Sequence, residues 1–106
     1  MKRMILSLMI ASVPIAAASA AITDKKVKER FETAKAPADL VACLTSATRW
    51  NGQQTVLPGL GGAQRLQFSF FGQAVTDLLV VPGERIAIEL RGMSSKRLRN
   101  SIQGCL

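Results

Sequence analysis

The chain has 106 residues and a formal net charge of +7, without a single histidine or tyrosine. That length allows one domain with a small core. Lacking histidine and tyrosine, it has neither the commonest general base nor a phenolic acid, so no enzyme is expected.

Lys2 and Arg3 precede an apolar run from Met4 to Ala18 that is broken by Ser7, Ser12 and Pro14, and Ala18-Ser19-Ala20 follows. This is the three-part pattern of a bacterial secretory signal, with cleavage expected after Ala20. The run is shorter than the roughly 20 residues a spanning helix needs, which disfavours the alternative of an uncleaved anchor. No cysteine follows the cleavage point to carry a lipid. Residues 1–20 are thus expected to be a signal peptide and residues 21–106 a single disulfide-linked domain, periplasmic or secreted.

Cleavage removes Lys2 and Arg3, leaving twelve Lys and Arg against seven Asp and Glu, a mature charge of +5. A domain of this size buries only about 60–65% of the surface its unfolded chain exposes, and exported domains often compensate with disulfides. Cys43 and Cys105 are the two cysteines, and one pairing is available to them. Closing that loop is worth roughly 4 kcal/mol on the chain-entropy model. With no histidine and too few ligands, a zinc site is not expected, and neither is any other cofactor.

Residues 21–35 are polar and rich in helix formers, with Val27, Phe31 and Ala34 at i, i+4 and i+7. This predicts a first helix that docks through Phe31, capped by Thr23 or Asp24. Pro37 suits the first turn of a second helix reaching about Thr48, whose apolar stripe is Leu40, Val41, Cys43, Leu44 and Ala47. Trp50-Asn51-Gly52 ends it.

The period then changes from 3.6 to 2. Gln54–Leu57 reads as a short strand, and Gly59-Leu60-Gly61-Gly62 as a loop without the Lys and Ser/Thr of a phosphate-binding motif. Arg65–Phe71, Ala74–Val81 and Glu84–Leu90 read as an antiparallel meander. Gly72-Gln73 is expected at the centre of a II′ turn and Pro82-Gly83 at the centre of a type II turn. Ser94 is expected to cap a final helix to about Gly104, with Met93 and Leu98 forming a hydrophobic staple. The expected fold is α+β: two N-terminal helices, an antiparallel meander of three or four strands and a C-terminal helix, with the helices packed on one sheet face.

Asp77 is a charge within the most apolar strand. It is expected either at an edge or paired across strands with Arg65 or Arg85, rather than as a buried acid in a catalytic cleft. Arg91, Lys96, Arg97 and Arg99 form a candidate anion-binding patch, since cations in the first turn of a helix oppose its dipole without local benefit. Trp50, Phe71, Leu78 and Val80 form a candidate apolar interface if one sheet face is uncovered.

Two functions follow. The first is a non-enzymatic, exported binding or interaction domain of the cell envelope, contacting an envelope protein or a second copy of itself through the sheet face. The second is a cationic module that binds anionic lipid or polysaccharide. Nucleic acid is not expected as a partner, because of the export signal and the scarcity of aromatic residues to stack on bases.

Overall fold

A computed structural model gives the structure of Ile22 and residues 24–106; the expected signal peptide and its expected cleavage point lie outside the described residues. Five strands form one antiparallel sheet: β1 (Val27–Thr33), β2 (Gln53–Pro58), β3 (Gln64–Phe70), β4 (Gln73–Val81) and β5 (Ile86–Gly92). Two helices accompany it, α1 (Pro37–Ala47) and α2 (Lys96–Gln103). The sheet order is β1-β5-β4-β3-β2, a four-strand meander with β1 added along β5.

The expected helix over residues 21–35 is therefore corrected, because residues 27–33 are an edge strand. Val27 and Phe31 are four residues apart, a spacing that also fits the two-residue period of a strand. The competing pattern is Glu29, Phe31 and Thr33 on the helix-facing side against Arg30 and Glu32 on the other. Glu32 lies within ion-pair distance of Arg30 (3.8 Å) and Arg85 (3.6 Å), and Glu29 of Arg99 in α2 (3.7 Å). Such a charged strand also discourages pairing with another sheet edge.

α1 begins at Pro37, where the missing N–H is harmless, and α2 is capped by Ser95, whose Oγ accepts a hydrogen bond from the Leu98 amide at 3.1 Å. The cap thus falls one residue later than Ser94. Ser94 instead accepts a hydrogen bond from Arg99 (3.2 Å), and Met93 stays exposed rather than stapling against Leu98. Leu40 and Leu44 from α1 pack with Leu98 and Ile102 from α2, and with Cys105 just beyond it, over Phe31, Leu66, Phe68, Leu78, Val80, Ile88 and Leu90. This is the single core of the described residues.

Cys43 and Cys105 are joined by a disulfide between Cα atoms 5.7 Å apart, tying α1 to the chain just past α2. Thr33 donates to the Leu106 carbonyl at 3.1 Å, so β1 holds the same terminus from the other side.

Two turns differ from expectation. The β3–β4 hairpin turns on Phe71 (φ 53°) and Gly72 (φ 78°), both left-handed as a type I′ turn requires, rather than on Gly72-Gln73. Gly83 is not left-handed, so β4 and β5 are joined by a wider loop over residues 82–85 instead of a type II turn.

Candidate functional site

Leu78 and Val80 are 0% and 3% exposed, because Leu78 pairs with Leu66 and Leu90, and Val80 with Gln64 and Ile88, on the helix-covered face. The interface that would have combined them with Trp50 and Phe71 is thus corrected. Strand β4 is apolar on both faces, so its alternation alone did not mark the inward one.

The opposite sheet face carries charge at its centre. Arg65 Nη1 donates to Asp77 Oδ2 at 2.9 Å, and Arg91 reaches the same oxygen at 4.0 Å while donating to Glu89 at 3.0 Å. The two arginine side chains lie over Asp77 and leave it fully buried. Gln67 stands directly opposite Asp77 in the neighbouring strand, yet its Nε2 and Asp77 Oδ1 make no hydrogen bond of good geometry. Burial pushes the Asp77 carboxyl above its ordinary range; attraction to Arg65 and Arg91 and the neighbouring Gln67 amide offset this only in part. The cluster holds two cations and two anions and sits on strands, an arrangement that stiffens the sheet face.

The four basic residues expected to act together are dispersed. Arg91 belongs to the network on the outer sheet face, and Arg99 is engaged by Glu29 and Ser94. Lys96 is exposed at the start of α2. The Arg97 guanidinium lies 4.0 Å from the centroid of the Trp50 ring, whose Nε1 donates to Ser101 at 3.3 Å.

A different grouping emerges at one end of the sheet. Register brings together the start of β1 (Val27 opposite Arg91), the end of β5 and start of β4 (Gly92 opposite Thr76), and the end of β3 (Phe70 opposite Gln73). Exposed Lys25, Lys26 and Lys28 line an open groove there, with a volume of about 580 Å³. Its apolar floor is Ile22, Ala74, Val75, Gly92 and Met93. Asp24 is the one acid in residues 24–28.

Beside this groove the surface is unusually apolar. Phe71 at the hairpin tip is fully exposed, Met93 is 64% exposed, and Val27 and Phe70 are also exposed. Sequence reasoning missed the groove because residues 25–28 read as helix, and no local signal brings Val75 or Met93 beside them.

Among the described residues, no helix is long and apolar enough to cross a membrane, and no group of three or more acidic or cysteine side chains is placed to hold a metal. No family model, curated protein or solved structure matches the chain.

Proposed function

We propose that this is a non-enzymatic binding domain of the cell envelope, exported, cleaved after Ala20, and directed to anionic surfaces through one end of its sheet. The observation that carries this reading is the groove lined by exposed Lys25, Lys26, Lys28 and Met93, with Phe71 fully exposed on the β3–β4 hairpin at the same end of the sheet. Cations draw an anionic surface from a distance, and apolar side chains beside them gain by leaving water on contact. The disulfide suits an oxidising compartment, in line with the signal-like N-terminus. An apolar sheet-face contact with an envelope protein or a second copy has less support, because Leu78 and Val80 are core residues and charges occupy the centre of the outer face.

Co-sedimentation of the protein recovered from a bacterial periplasm tests this reading. Vesicles containing phosphatidylglycerol are expected to retain it at low salt. They release it near 1 M salt, where the Debye length falls to about 3 Å. Equal retention by pure phosphatidylcholine, or none by either, would contradict the proposal.

A further inference from the structure

We infer that the lysine-lined groove is the seat of one anionic phospholipid, its phosphate held by Lys25, Lys26 and Lys28 while the Phe71 tip enters the acyl layer. This rests on the surface-binding reading above and gives it a specific ligand site.

Three backbone irregularities meet at the groove. Lys28 is the extra residue of a bulge in β1, since Val27 and Glu29 pair with the consecutive residues Arg91 and Leu90. Val75 is the extra residue of a bulge in β4, since Phe68 and Ser69 pair with Thr76 and Ala74. Bulges re-aim side chains and recur beside binding sites. Between them lies Gly92, with φ 86°, where any Cβ would collide with the Val75 carbonyl and with Ile22.

The floor is held firmly. The Met93 amide donates to the Val75 carbonyl at 2.8 Å, and Thr76 Oγ1 donates to the Met93 carbonyl at 2.7 Å. The Lys25 amide reaches the Ile22 carbonyl at 3.3 Å, and Ile22 is buried against Gly92. A fixed apolar floor under exposed ammonium groups matches a phosphodiester with attached methylenes better than a wholly polar polyanion, which would leave the exposed parts of Val75 and Met93 without apolar partners. The groove volume lies within the roughly 300–1,000 Å³ usual for small-molecule sites.

Phe71 supplies an independent observation. Type I′ turns favour Asn, Asp or Gly at this left-handed position, and a fully exposed phenylalanine there has no packing within the domain to justify it. An aromatic side chain at that tip is suited to the boundary between lipid headgroups and acyl chains.

Dihexanoyl-phosphatidylglycerol below its micelle concentration is the probe, compared by calorimetry with dihexanoyl-phosphatidylcholine and with polyphosphate. Saturable one-to-one binding of the anionic lipid alone is expected. The triple variant K25Q/K26Q/K28Q is expected to abolish it and to lower partitioning onto phosphatidylglycerol vesicles on the order of a hundredfold. Its thermal unfolding should not change, because the three side chains are exposed. The variant Phe71→Ser is expected to weaken vesicle binding and leave the monomeric lipid's affinity intact. Vesicle binding without any affinity for the monomeric lipid would overturn the groove site and leave the surface reading standing. Loss of both would overturn both readings, while equal affinity for polyphosphate would replace the lipid by a polyanion.

Discussion

Lys28 in β1 and Val75 in β4 each stand out of register in their own strand ladder, and both line the groove that Gly92 bounds. Gly92 makes this convergence possible, since it is left-handed and lies closer to the Val75 carbonyl than any side chain allows. Gly92→Ala is therefore expected to lower unfolding free energy by at least about 1–3 kcal/mol in urea titrations. Its damage should extend to the Met93–Val75 hydrogen bond, read as faster amide exchange at Met93.

The Asp77 network predicts a pH dependence with a definite sign. Burial raises the folded-state pKa above the usual 3.8, so the folded protein holds this proton more tightly than the unfolded chain. The resulting contribution to stability is complete below the unfolded value and is lost as pH rises through the folded one. Relative to Asp77→Asn, the wild type is expected to lose stability from about pH 4 upward until the carboxyl has ionised. Urea unfolding of both proteins between acid and neutral pH measures that difference.

Removing the counter-ion acts on the same group from the other side. Arg65→Leu leaves the buried carboxylate without its 2.9 Å partner and is expected to cost about 3–5 kcal/mol at neutral pH. The loss should shrink in acid, where a protonated Asp77 no longer needs the cation. A loss equally large in acid would show that Arg65 acts by packing alone.

The disulfide spans a sequence separation of 62 residues. Chain entropy assigns it about 4 kcal/mol, a large share of the total stability of so small a domain. Urea midpoints of the oxidised protein and of a Cys43→Ser/Cys105→Ser variant should differ accordingly. The termini of α2 and β1 should be the first segments to lose amide protection, because the bridge and the Thr33–Leu106 hydrogen bond anchor them together.

Phe71 sets stability against binding. Phe71→Asn places a residue tolerant of the left-handed region in the turn and is expected to raise stability by about 1 kcal/mol. The same change removes the exposed aromatic ring and should weaken vesicle retention. Thermal unfolding and co-sedimentation of this one variant read both effects.

Much of the fold was legible where a buried stripe repeats. Leu40 and Leu44, and Leu98, Ile102 and Cys105, mark two amphipathic helices, and the alternation of Leu66 and Phe68 or of Ile86, Ile88 and Leu90 marks strands. Strand β1 was not legible, because its lysines and glutamates favour a helix locally and only pairing with β5 makes it a strand. The inward face of β4 was hidden by apolar residues on both sides. The cation-rich character was read from composition, but not which cations assemble: Arg91 and Arg99 are engaged by acids that periodicity alone did not bring to them. Lys25, Lys26 and Lys28 meet Val75 and Met93 only through the bulges and the β1–β5 pairing.

Amide chemical-shift mapping of the isotope-labelled protein with dihexanoyl-phosphatidylglycerol tests the central claim most directly. Perturbations confined to residues 25–28, 70–76 and 92–97, saturating together, are the predicted result. Perturbations centred instead on Arg65, Asp77 and Glu89 of the outer sheet face, or none at saturating lipid, would contradict it.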